Sequence, residues 1–228
     1  MNLIRFLFAL IASPAVLNSL YILIKTILSF AGIQNYKYAP FWAGILCYGV
    51  FQVLFYKPFR LYIFGHELTH AIAGILSGAS IKNFRVGKRS GSVVLDKDNI
   101  WITLSPYFIP LYSFAVLCLY FAAGYFLDIS LIYSYFLFFL GFTVAFHFAL
   151  TVFVIKIGQP DLKVYGLFFS LIIILAVNAA VFSILLVLAF PREINASLLF
   201  SNYYYGANAV YKDIIDGIAA LLNKKSFI

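Results

Sequence analysis

Apolar runs of about twenty residues, separated by short polar breaks, fill most of this chain and predict membrane-spanning helices. Six such runs are read, near residues 6–30, 40–56, 61–79, 101–126, 131–155 and 164–190. Between the third and the fourth the pattern changes. Ile81–Val86 alternates loosely, Gly87-Lys88-Arg89-Ser90-Gly91 has the composition of a turn, and Ser92–Leu95 reads as a second short strand. These features predict a β-hairpin over about 80–98. Lys57-Pro58-Phe59-Arg60 marks a tight break before the third run. After residue 190 the chain is less apolar, and 208–222 has the pattern of an amphipathic helix suited to the membrane interface. The expected fold is an all-α polytopic membrane protein with about six transmembrane helices and one short β-hairpin. Residues 1–190 then form a single bundle, and 191–228 form a C-terminal tail.

Composition agrees with this reading. At 64% hydrophobic and 11% charged residues, the chain cannot cover a soluble globule with polar surface. The net charge of +8 comes from basic residues that sit mostly in loops and near the ends of the runs, a pattern that suits anionic lipid headgroups. No basic face is built on a soluble element, which argues against nucleic acid as a partner. Cys47 and Cys118 both fall inside apolar runs and read as small packing residues. Six spans put both termini on one side of the membrane. The hairpin and the loops with Lys37, Lys156 and Lys163 share the other side, which carries eight basic residues, and the positive-inside rule places it in the cytoplasm.

The third run contains chemistry that an apolar helix does not need for packing. His66-Glu67-Leu68-Thr69-His70 is an HExxH sequence, in a chain with only three histidines and two glutamates. Helical spacing puts the two imidazoles one turn apart on one face, as two ligands of a single metal require. Glu67 lies beside them, in the position of a general base toward water. Ionisable groups in a membrane-length segment are costly, so this cluster marks a functional site.

A catalytic zinc needs a third protein ligand and an open position. Asp96 and Asp98 belong to the hairpin, while Asp128, Glu193, Asp213 and Asp216 fall toward the opposite face of the membrane. His147 and Asp161 remain. Counting from the hairpin side, His70 lies roughly 13 Å and His147 roughly 12 Å along their helices at 1.5 Å per residue, so the two histidines can meet at one level. Asp161 sits in the polar break Gln159-Pro160-Asp161 and reaches the metal only if that break folds inward, which is allowed where protein or a wet cavity covers it. The residues alone leave both candidates open.

Several pieces together resemble the site-2 protease family of intramembrane zinc metalloproteases. They are Gly65-His66-Glu67-Leu68-Thr69-His70-Ala71, the hairpin after it, Ser105-Pro106, and Gln159-Pro160-Asp161-Leu162. The last piece is similar to the family's Asn-Pro-Asp-Gly motif. It departs from that motif at Gln159 and Leu162, and the chain carries His147 as an additional intramembrane histidine. The resemblance implies a Zn2+ ion held by His66, His70 and Asp161, with Glu67 catalytic and with His147 or Gln159 sharing the oxyanion charge or orienting a ligand. It also implies hydrolysis of peptide bonds in a membrane-protein substrate with a transmembrane segment. Two other classes are compatible with the residues. One is a non-proteolytic membrane scaffold or regulator that keeps the fold, and the other is a metal or ion transporter.

Overall fold

The computed structural model describes residues 2–30, 36–54, 58–88 and 90–225. Lys57 of the predicted break and Arg89 of the predicted turn lie outside the described residues. The chain is mostly helical. In order it forms α1 (Leu3–Phe30), α2 (Ala39–Leu54), α3 (Phe59–Leu76), β1 (Ile81–Val86), β2 (Gly91–Leu95), α4 (Ile100–Leu104) and a 3₁₀ turn (Ser105–Tyr107). It continues with α5 (Leu111–Ala123), α6 (Tyr133–Ile157), α7 (Pro160–Val164), α8 (Leu167–Ala189) and α9 (Ala196–Lys225).

Among the described residues, three segments are long and apolar enough to cross a membrane: Leu3–Ser29, Ile129–Ile157 and Leu167–Ala189. A bent pair, Ile100–Tyr107 with Leu111–Ala123, adds a fourth if it counts as one broken span. The structure thus shows three or four candidate spans where six were expected. The physical reasons differ by element. At 16 residues, α2 extends about 24 Å, short of a hydrocarbon core of about 30 Å. Helix α3 has 18 residues, but Arg60, His66, Glu67 and His70 dilute its apolar character. The predicted span 101–126 is interrupted by Pro106 and Pro110, and its two halves meet at 78°.

The chain divides into two compact units, Met1–Phe30 with Gly166–Ile228, and Ala31–Tyr165. In the first, α1 packs on α8 and α9. Phe6 meets Phe168 and Phe8 meets Phe169, with ring centroids 5.7 and 5.9 Å apart, and Ala9, Val16 and Ile172 form a small core. Helix α9 is tied back by Tyr211, whose hydroxyl donates to the Ile11 carbonyl at 2.7 Å. The predicted amphipathic stretch 208–222 lies inside this longer helix.

In the second unit α2 and α6 run side by side at backbone contact. A β-carbon at Gly44 would collide with the Phe138 carbonyl, and one at Gly141 with the Phe41 carbonyl. Such close approach is the use of small residues where membrane helices pack. Tyr48 then sits edge-on to Phe142 and Phe146. Helix α5 joins the other side of α6 through stacked Tyr120 and Phe136 rings 4.0 Å apart.

The hairpin forms as the alternation predicts. Strands β1 and β2 are antiparallel, pairing Phe84 with Val93 and Val86 with Gly91, with one irregularity between Ile81 and Asn83. Gly78 ends α3 in a left-handed conformation (φ 73°), which lets the Ala79 amide bond the Gly74 carbonyl. The hairpin is seated on α3 at two glycines. Leu95 fills the space beside Gly74, and Gly91 lies against Ile63 and Glu67. Strand β2 therefore runs along α3 in the same direction, over the residues that carry the HExxH sequence.

Candidate metal centre

Helix α3 presents His66 and His70 on one face, with ring centroids 4.8 Å apart. Their Nε2 atoms are 3.3 Å from each other. Asp161 arrives from α7, and its Oδ2 lies 3.5 Å from Nε2 of His66 and 3.6 Å from Nε2 of His70. Among the described residues, this is the group of histidine, cysteine and acidic side chains that converges closely enough to hold a metal ion.

Two features of the sequence bring Asp161 in. Gly158 caps α6 in the left-handed region (φ 77°) and reverses the chain. Pro160 then occupies the first turn of α7, where its missing amide hydrogen costs nothing, and Asp161 follows at the positive helix end. The break folds inward, and the Asp161 side chain reaches the two histidines of α3.

The spacing fits a cation better than hydrogen bonds. Charge-assisted N–H···O bonds run about 2.7–2.9 Å, shorter than all three separations here. A tetrahedral centre with metal–ligand distances of about 2.0–2.2 Å separates its ligand atoms by about 3.3–3.6 Å. The donor set of two imidazoles and one carboxylate suits a divalent transition metal.

Each ligand group has a partner on its far side. The Nδ1 of His70 lies 2.8 Å from the Ile102 carbonyl oxygen, so Nδ1–H donates there and Nε2 is left with its lone pair toward the site. The Nδ1 of His66 lies 3.2 Å from the Tyr62 hydroxyl, one turn earlier on α3. The Tyr107 hydroxyl donates to Asp161 Oδ2 at 3.0 Å. Burial raises the Asp161 carboxyl, but the two imidazoles facing it outweigh this and hold the group below the usual carboxylate range, which favours the charged form that a metal site would use.

Glu67 is buried next to the pair, and the Val93 amide of β2 donates to its carboxylate. A cleft of about 490 Å³ opens over the group. Its walls include Glu67, the length of β2, Lys97, Asp98 and Gln159. His66 and His70 are 9% and 11% exposed and Asp161 is 27% exposed, so water reaches the site along the carboxylate side.

The remaining predicted residues separate. Gln159 precedes α7 and lines the same cleft. His147, on α6, is not part of the convergent group. It lines a second, much smaller cavity behind His66, with Tyr62, Thr69, Tyr112 and Thr143. Sequence reasoning passed over Tyr62, Tyr107 and the Ile102 carbonyl. Tyr62 had a signal, since 62, 66 and 70 repeat at helical spacing. Tyr107 had only its place beside Ser105-Pro106.

No family model, no curated protein and no solved structure matches this chain. What the structure shows is a helical, multi-pass membrane protein with a partly buried His66–His70–Asp161 group able to hold a metal.

Proposed function

We propose that this chain is an intramembrane zinc metalloprotease of the site-2 protease type. The observation that carries the reading is the three ligand atoms 3.3, 3.5 and 3.6 Å apart with the Glu67 carboxylate beside them. His66, His70 and Asp161 are the residues that would hold the zinc. A bound zinc supplies Lewis acidity toward the scissile carbonyl and toward a water nucleophile.

The chain's own residues do the rest. Glu67 accepts the proton of the attacking water and returns it to the leaving amine. Its bond from Val93 fixes the carboxylate at the edge of the cleft. Gln159 lines the same cleft, and its side-chain amide is the donor assigned here toward an oxyanion. Strand β2 pairs with β1 on one side and borders the cleft over all five residues, which suits an extended peptide laid along it. The substrate class is a membrane-protein segment unwound near the bilayer surface, and the hairpin side faces the cytoplasm. A structural metal site does not need Glu67, which is why hydrolysis is preferred to a scaffold role.

The test uses the full chain in liposomes with a transmembrane reporter segment. About one zinc per chain and two product fragments are expected. Zinc-free protein that still cuts, or zinc-loaded protein that moves metal across the liposome wall without producing fragments, overturns the reading.

A further inference from the structure

Asp161 differs from the two histidines in how it is held. His66 and His70 share one helix, and their spacing follows from the helix itself. Asp161 sits on a five-residue helix that follows a left-handed glycine, so its approach to the histidines does not follow from the regular rise of one helix. Yet a single oxygen, Oδ2, lies near-equidistant from both Nε2 atoms.

The group that meets this oxygen from behind is Tyr107. Its side chain is completely buried. The hydroxyl donates to Oδ2 at 3.0 Å, and the ring stands edge-on to His66 with centroids 5.5 Å apart. Tyr107 reaches this place because the chain breaks between α4 and α5. The Ser105–Tyr107 turn and the 78° bend point the phenol back toward α3 instead of along a straight span. The Ser105 and Ile109 backbones bond across the turn, which fixes it.

We propose that Tyr107 is a positioning residue for the third ligand, its phenol setting the carboxylate of Asp161 so that Oδ2 faces both imidazoles. This rests on the reading of His66, His70 and Asp161 as a metal centre. The same bond draws charge from the ligating oxygen, so the phenol also tunes how strongly that oxygen binds a cation. Partners of metal ligands typically contribute about 10–100-fold in affinity.

The test is made on the full chain in detergent, with zinc affinity from competition against a chromophoric chelator and with cobalt as a spectroscopic substitute. Tyr107→Phe removes one oxygen and leaves the ring on His66. It is expected to weaken zinc binding by roughly 10–100-fold and to shift the visible bands of the cobalt form. In an Asp161→Ala background the same change should have no further effect. Replacing Tyr107 by 3-fluorotyrosine keeps the shape and strengthens the donor, so it must shift the cobalt bands even if the phenylalanine variant folds poorly. Wild-type affinity and unshifted bands in both variants, with metal lost in Asp161→Ala, overturn the role of Tyr107 while the metal centre stands. No binding by the wild-type chain, with the His66→Ala protein indistinguishable from it, overturns the metal centre itself.

Discussion

Gly91 lies so close to Glu67 that a β-carbon at position 91 would fall 2.6 Å from Glu67 Cγ and 3.0 Å from its Oε1. The strand over the site and the candidate base are therefore a matched pair, and only a residue without a side chain lets β2 come down onto α3. Gly91→Ala is expected to cost about 1–3 kcal/mol of stability by overpacking. It should also reduce cleavage while leaving zinc content unchanged. Thermal unfolding and elemental analysis of the same preparation check both halves.

Removal of metal ligands should divide the candidates cleanly. His66→Ala, His70→Ala and Asp161→Ala are each expected to lose bound zinc, as should the wild-type chain after treatment with a strong chelator. His147→Ala should keep full occupancy, because His147 borders the neighbouring cavity and not the convergent group. Zinc per chain measured across the four variants decides it, and a His147→Ala protein without zinc contradicts the assignment.

Glu67→Gln keeps the size of the side chain and removes the base. Zinc content should remain near one per chain, and cleavage should fall by at least about 10²-fold. A glutamine variant that cuts at the wild-type rate would make Glu67 a structural residue.

The seam between α2 and α6 should tolerate nothing larger than glycine at its two contact points. Gly44→Ala and Gly141→Ala each drive a methyl group into the backbone of the facing helix. A loss of about 1–3 kcal/mol is expected for each, read from thermal unfolding in detergent. Because each side chain meets the other helix's backbone, the double variant should cost less than the sum once the helices have separated.

At the base of the hairpin, the Ser80 amide donates to Asp96 at 2.8 Å and holds its carboxyl below the usual range, with help from nearby Lys82 and Lys97. A depressed carboxylate stabilises the folded form above the ordinary pKa, and that contribution disappears as pH falls through the depressed value. The protection of the Ser80 amide against hydrogen exchange, taken relative to the intrinsic rate at each pH, should therefore fall in acid. Asp96→Asn should remove the pH dependence.

The imidazole pair was legible in the sequence because its geometry is local. Two residues four apart on a helix face the same way whatever surrounds them. The carboxylate that joins them was not legible from spacing, because its position depends on how the chain leaves α6. Counting rises along straight helices placed His147 and His70 at one level, and that count is sound as far as it goes. It carries no information on which way a side chain faces, and His147 faces the cavity behind His66. The reading of six spans exceeds the three or four candidates for a related reason. Mean hydropathy over 101–126 stays high through the bend, so the two prolines that turn the chain by 78° leave little trace in it. The hairpin, whose signal is alternation and turn composition, was read at nearly its observed bounds. The resemblance in Gln159-Pro160-Asp161 pointed to the carboxylate that the fold brings to the two imidazoles.

The helix that carries Asp161 is bounded by Gly158 and Gly166, with φ of 77° and 92°. Among the described residues, nothing lies within 4 Å of where a β-carbon would sit at Gly158, so its glycine answers to the backbone torsion. The site is therefore built half on a rod and half on a jointed arm. The imidazoles keep their spacing for as long as α3 is a helix. The helix that carries the carboxylate is entered and left through two positive-φ torsions, which residues with a β-carbon adopt only at a cost on the order of 1–3 kcal/mol. Evolutionary or engineered change at these two joints would move the carboxylate relative to the imidazoles without touching any of the three converging side chains.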